Sequence, residues 1–324
     1  MTRRAPALRR LTTACLAALC CVIGLAYVGA DAAPPAGRGI AVLYPDIGEP
    51  YRSVFTVIVG GIEEQAGTHV PSFAVGAGVN PQEIAAELRR QDTHVVIALG
   101  RNGLSVAMGL ERDMGVVVGG VVSVPEADAR NFAVFSLAPD PALLFSRLQI
   151  FMPTARRVFV IYDPRQNAWL LRLAKEAASA RGLELAAYEA TDLKTSMRFY
   201  QEILATMDAR RDALWLPQDS TTVDEASVLP LVLQQAWSRN LAVFSSSVVH
   251  VRRGALFSLY PDNAQIGRNL AIAAQNYLSS GGTAAHGVTP LKTVLVAANV
   301  RTANHLGLDV AARQQNFDLI FPEQ

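Results

Sequence analysis

The sequence predicts an α/β protein of two lobes, each built on a doubly wound parallel sheet. Three observations carry that expectation. Short apolar runs alternate with helical patterns along the chain, which implies right-handed β-α-β units. The strand-like runs are continuous and rich in Val and Ile, as in parallel sheets buried on both faces. The scheme also opens twice. "GIAVLYPDIGEPYRSVF" starts at Gly39 and "RRVFVIYDPRQNAWLL" at Arg156, and each passes from an apolar strand through a proline turn into a helix-like run. The two opening strands lie about 120 residues apart, too far for a solenoid repeat and suited to a duplicated architecture.

In the first half, "IAVLYP" reads as a strand, residues 51–65 as a helix, "HVPSFAV" as a strand, and residues 81–91 as a helix. "HVVIALG" follows as a strand, residues 102–112 as a helix, and "GVVVGGVV" and "NFAVFSL" as strands. The second helix is amphipathic, with Ile84 and Leu88 on one face,. Asn80-Pro81 supplies a capping side chain and a proline at the first helical position,. In the second half "RVFVIYDP" leads to a helix at 168–180 ended by Gly182. "LELAAYEA" leads to a helix at 195–207, "DALWLPQ" to one at 226–239, and "LAVFSSS" and "ALFSLYPD" to a long helix at 263–278.

Of 324 residues, 51% are apolar and 18% charged, the composition of a globular chain long enough for two lobes. A formal charge of +1 gives no basic footprint for nucleic acid. The first residues stand apart. "MTRRAPALRR" carries four arginines and no acid, an apolar stretch follows, and "ADAA" closes it at Ala33. A basic segment, an apolar segment and an A-x-A site make residues 1–33 a cleaved secretory signal peptide. A retained membrane anchor is the competing reading, because the apolar core at 11–28 is at the lower length limit for a span. Leu19 before Cys20 fits a lipoprotein site poorly, and the arginine pairs match a twin-arginine signal poorly. Removal of 1–33 leaves 25 Lys and Arg against 27 Asp and Glu, a net of −2. Cys15, Cys20 and Cys21 leave with the signal, so the mature chain has no disulfide, thiolate nucleophile or cysteine metal site,.

The motifs that carry catalysis are missing. No phosphate-binding GxxxxGK[ST] loop, GxSxG elbow or HExxH helix occurs, and "GAGVNP" at Gly76 lacks the third glycine of a dinucleotide fingerprint,. His69, His94, His250, His286 and His305 show no ligand spacing,. Glu63 and Glu64 diverge by about 100° on a helix and read as a solvated face. No enzyme activity, cofactor or metal is expected.

Four stretches resemble a known family: "LFSRLQIFMPTARRVFVIYDPRQNAW", "DALWLPQDSTT", "LAVFSSSVVHVRRGALFSLYPDNAQIGRNLA" and "VLVAANVRTANHLGLDV". They are similar to ABC-transporter substrate-binding proteins of the type I periplasmic binding fold, in the family that includes tryptophan and aromatic amino-acid binders. The resemblance covers about residues 144–308; over the first half only the order of elements matches. It implies a three-crossover hinge, near 138–141, 260–263 and 287–291. The expected lobes are then 38–139 plus 262–288, and 140–261 plus 289–324. It also implies a soluble periplasmic monomer that binds a small molecule and passes it to an ABC permease. A sensor of the same fold acting on a membrane signalling protein is the alternative, since fold does not fix function. The family's Tyr-Asn-Pro is Tyr162-Asp163-Pro164 here, its Asp-Asn is Asp219-Ser220, and its Ser-Asp turn is Ser245-Ser246-Ser247, with no acid. An amino-acid ligand needs an anion for its ammonium, and one expected anion is missing.

Ligands of open α/β sheets bind beyond the C-terminal strand ends, which nominates the residues there. In the first lobe these are Asp46, Tyr51, Arg101, Asn102 and Ser123. In the second they are Tyr162, Asn167, Trp169, Asp219, Ser220, Ser246 and Ser247. Tyr51, Tyr162 and Trp169 would suit a flat or apolar ligand part, although Trp169 also reads as a packing residue and Ser246 as an ordinary turn. Arg101, at a helix start, suits an anion, and Asp219 an ammonium or hydroxyl. The competing reading of both is a loop charge held by a neighbour.

Overall fold

The computed structural model describes residues 39–111, 113–282, 286–308 and 317–322; residues 1–33, expected to be a signal peptide, and the three cysteines among them lie outside the described residues. The first sheet has the order β11-β5-β4-β3-β1-β2. Its members are β1 (Ile40–Pro45), β2 (Ser72–Val75), β3 (Val95–Leu99), β4 (Gly115–Val121), β5 (Ala133–Pro139) and β11 (Gly287–Leu291), all paired in parallel. Between them run α1 (Tyr51–Ala66), α2 (Pro81–Arg90), α3 (Gly100–Ala107) and α4 (Glu126–Ala129).

The second sheet has the order β13-β12-β10-β9-β8-β6-β7. It comprises β6 (Arg157–Tyr162), β7 (Glu184–Glu189), β8 (Asp212–Leu216), β9 (Ala242–Ser245), β10 (Phe257–Pro261), β12 (Val294–Asn299) and β13 (Leu319–Phe321). Its helices are α5 (Pro141–Phe151), α6 (Pro164–Ala180), α7 (Leu193–Thr206), α8 (Val228–Ser238), α9 (Val248–Arg253) and α11 (Val300–His305). β12 runs antiparallel to β10 and departs from the all-parallel expectation. The linker from β11 to β12 is only two residues, Lys292 and Thr293, too short for the crossover a further parallel strand requires.

The chain passes between the sheets three times: from β5 to α5, from β10 to α10 (Asn263–Ser279), and from β11 to β12. α10 packs on α1. At their crossing a Cβ on Gly61 would stand 2.2 Å from the Ala264 carbonyl oxygen, and one on Gly267 would stand 2.0 Å from that of Ile58. Only glycine admits this approach, and it ties a helix from late in the chain to the first sheet. β11 pairs with β5 through Leu291, so residues 289–291, expected in the second lobe, belong to the first sheet.

Burial follows the apolar runs. β3 and β8 are buried along their whole length, as strands covered on both faces must be. In the second lobe Phe145 meets Trp215 edge-on at 5.8 Å, and Phe257 stacks between Phe151 and Phe244 at 4.9 and 5.1 Å. Helix starts track capping chemistry. α6 begins at Pro164, four residues earlier than the periodicity suggests, because the Asp163 side chain accepts from the Arg165 N–H and proline takes the first helical position,. α3 begins directly at the end of β3, because Gly100 adopts φ +67° and turns the strand into the helix,. The short α9 and α11 lack enough turns to show a periodicity and are not legible as helices in the sequence.

Candidate ligand-binding cleft

Because the passages leave from the C-terminal ends of β5, β10 and β11, the C-terminal edges of the parallel strands in both sheets lie toward the crossings. The nominated residues sit on those edges, in two different settings. On the first lobe Asp46 follows β1 and is exposed, and Tyr51 opens α1 with 65% of its surface exposed. Arg101 lies at the second position of α3 and is exposed. Asn102 is half-buried, its amide 3.4 Å from the Val75 carbonyl, and Ser123 is half-buried beyond β4. Arg101 and Asp46 have no ion-pair partner among the described residues.

The second lobe is a hydrogen-bonded wall. Asp219 is buried, 4% exposed. One carboxylate oxygen accepts from the Asp163 N–H (2.7 Å) and the Asn167 amide (2.9 Å). The other accepts from the Thr221 and Thr222 N–H groups, both at 3.0 Å. Four donors fill the four acceptor positions of a carboxylate, so Asp219 ties the loop after β8 to the start of α6 and keeps no lone pair for a ligand ammonium. Asn167, 2% exposed, belongs to the same tie. Asp163 is held by two Arg165 nitrogens, at 2.9 and 2.6 Å, and by the Thr221 hydroxyl at 2.9 Å. The Arg165 hydrogen bonds pull its carboxyl down to about 2,.

Tyr162 turns into the core. It is 5% exposed, and its hydroxyl donates to Glu189 at 2.7 Å. Burial and that carboxylate push the phenol up to about 12,. Ser246 is buried and accepts from the Trp215 indole N–H at 3.0 Å, while Ser247, half-buried, precedes α9 without a side-chain capping bond. Ser245, fully buried, lies 2.7 Å from Nδ1 of His250, whose pKa burial lowers to about 4. Ser220 is exposed on the rim.

A cavity of about 650 Å³ spans both lobes. The second lobe contributes one face of α6, including Gln166, Trp169 and Arg172; the first contributes Val124, Ala129 and Val288. Trp169 is the nominated residue that lines it, and its indole N–H is buried with no hydrogen-bond partner. Sequence reasoning passed over Gln218, whose amide oxygen is likewise buried and unpartnered beside Asp219. Its only sequence signal is its place just past a strand end. Among the described residues no cluster of potential ligands could hold a metal ion, and no helix is long and apolar enough to cross a membrane.

A family model described as ABC transporter substrate binding protein matches residues 145–310, just over half of the chain. A search of curated proteins finds no match. Among solved structures, a ligand-free, open substrate-binding protein with adhesive properties from Clostridium difficile is similar at TM-score 0.63 and 17% identity, over 88% of this chain and 100% of that one. An ABC domain from Streptococcus pneumoniae in complex with L-Trp is similar at TM-score 0.57 and 15% identity, over 87% and 99% of the two chains. A conserved domain protein from Vibrio cholerae gives TM-score 0.55 and 19% identity, over 87% and 99%. At these identities the likeness establishes the fold, two parallel-dominated α/β lobes.

Proposed function

Since the chain belongs to the ABC transporter substrate-binding protein family, with a solute-binding role in general, we propose that it captures a small solute between its lobes and delivers it to an ABC permease. The observation that carries this reading is the cavity shared by α6 of one lobe and the β4–α4 segment of the other, with an unpartnered indole N–H on its wall. A buried donor without a partner is costly, and a ligand acceptor would supply the missing bond.

The second lobe offers the solute a preformed wall. The first offers Arg101, Asp46 and Tyr51, still solvated and able to change partners on closure. A polar or amino-acid-like solute fits, but its ammonium would need Asp46 or a backbone carbonyl in place of Asp219. A flat or apolar part suits Trp169 and Tyr51. The protein acts as a monomer in the periplasm after signal cleavage, and it binds without catalysis.

Mass spectrometry of small molecules released by gentle denaturation of the exported protein identifies the solute. Small-angle scattering with that solute then gives a smaller radius than without it. An unchanged profile at saturation refutes closure, and an intact mass that includes residues 1–30 refutes cleavage. Alanine at Arg101 or Trp169 weakens the solute by about tenfold or more if each contact is desolvated on closure. Losses below about threefold in both remove these residues from the site. Crosslinking to a membrane signalling protein, with no permease captured, would favour the sensor role.

A further inference from the structure

The cavity between the lobes carries two groups whose chemistry is one-sided. The Trp169 indole N–H, buried and without a partner, can donate a hydrogen bond and cannot accept one. Its ring packs against the core of the second lobe, which holds the N–H in place. Arg172, three residues on along α6, lines the same cavity. It is exposed and has no ion-pair partner among the described residues, and a guanidinium also only donates. Residues three apart share a helix face, about 4.5 Å apart along the axis. Long side chains on that face lean toward the helix N-terminus, so Arg172 covers the turn that carries Trp169. Two donors at this spacing match the two oxygens of one carboxylate.

The other charges of the cavity leave that place open. Arg165 is held by Asp163 at 2.6 Å, Arg130 already has a partner, and His286 is exposed. Glu176 is the carboxylate among the described lining residues. It lies two turns beyond Trp169, about 10 Å along the helix axis. The ammonium of an α-amino acid sits one carbon from its carboxylate, so it cannot reach Glu176 while the carboxylate holds the indole N–H. The acids at the ends of β6, β7 and β8 are engaged as well. Asp163 is bound to Arg165, Glu189 accepts from Tyr162, and Asp219 has its four donors. An ammonium beside Trp169 would be buried without an anion, which is costly. Around the two donors the wall is apolar, with Val124, Ala129 and Val288 from the first lobe and Leu173 from the second.

We propose that the solute is a monocarboxylic acid with an apolar body and no amine. Its carboxylate is bound by the Trp169 N–H and the Arg172 guanidinium, and its body lies against the apolar wall of the first lobe. This rests on the solute-binding reading above and narrows it to a ligand class.

The test is calorimetry on the full mature chain with four probes. Hydrocinnamate and hexanoate are acids with a flat and an aliphatic body. L-Phenylalanine is hydrocinnamate with an added ammonium, and hydrocinnamamide is its neutral amide. Hydrocinnamate binds the wild type about tenfold or more tightly than L-phenylalanine or the amide. Trp169→Phe keeps a ring and removes the N–H, and it lowers hydrocinnamate affinity by about tenfold. Arg172→Gln lowers it by about tenfold or more. Arg172→Lys falls between, because charge remains but the fork is lost. Glu176→Gln leaves it unchanged or tightens it. Circular dichroism checks folding of each variant. The proposal is overturned if neither acid binds, if L-phenylalanine binds as tightly as hydrocinnamate, or if Trp169→Phe and Arg172→Gln both bind like the wild type. Binding lost in Arg101→Ala and kept in Arg172→Gln also overturns it, by placing the carboxylate on the first lobe. The released-molecule mass spectrometry separates this failure from that of the wider reading. A retained amine refutes the ligand class and leaves solute binding standing, whereas no retained molecule and no bound probe refutes both.

Discussion

The two lobes present strand ends of the same kind and finish them differently. On the second lobe Asp163, Asn167, Asp219, Thr221 and Ser246 are bonded to one another or to the core beneath. On the first lobe Asp46, Tyr51 and Arg101 stand in solvent. A wall whose donors and acceptors are already paired keeps its shape with or without a ligand, whereas solvated groups can exchange water for ligand when the lobes close. The first lobe takes its rigidity from elsewhere, from the glycine crossing of α1 and α10.

Removing Asp219 is the most severe test of that contrast. Asp219→Ala strands four N–H donors in the interior and should cost about 3–5 kcal/mol in urea unfolding. A loss below about 1 kcal/mol would mean that the wall is not held by this carboxylate.

Next is the first lobe's own anchor. Gly267→Ala places a methyl 2.0 Å from the Ile58 carbonyl oxygen, forces α10 away from α1, and should cost about 2–4 kcal/mol. The same substitution at Gly48, where nothing stands within 4 Å, should change stability by less than about 1 kcal/mol. Equal effects at the two sites would contradict the crossing as the anchor.

An acid titration probes the second lobe alone. His250 is held neutral, its pKa lowered from the ordinary 6.5 to about 4 by burial first and by the Arg253 charge second. Above 6.5 the folded and unfolded chains are both neutral at this residue. As pH falls from 6.5 toward 4 the unfolded chain takes a proton that the folded chain refuses, so stability drops by up to about 1.4 kcal/mol per pH unit. Melting curves between pH 7 and 5 should show this slope in the wild type and a shallower one in His250→Gln.

The smallest effect is expected at the open wall. Arg101→Ala and Tyr51→Ala should each alter unfolding free energy by less than about 0.5 kcal/mol. A loss near that of Asp219→Ala would erase the distinction between the lobes.

The alternating pattern by itself determined the two α/β sheets, most helices and the edges to which the candidate residues belong, because strand period, helix period and capping residues are local properties. Asn80-Pro81 marked a helix start that the structure keeps at Pro81, and "VVIAL" marked a strand buried throughout. Tertiary structure decided what each polar side chain does with its place. Asp219 and Arg101 read alike along the chain, as charges just past strand ends. Only the folded chain brings Asp163, Asn167, Thr221 and Thr222 onto one carboxylate. The antiparallel turn of β12 was equally hidden. Partners such as Asn167 and Asp219, 52 positions apart, have no local signature, because a hydrogen bond requires proximity in space and no residue type specifies which distant segment will supply it.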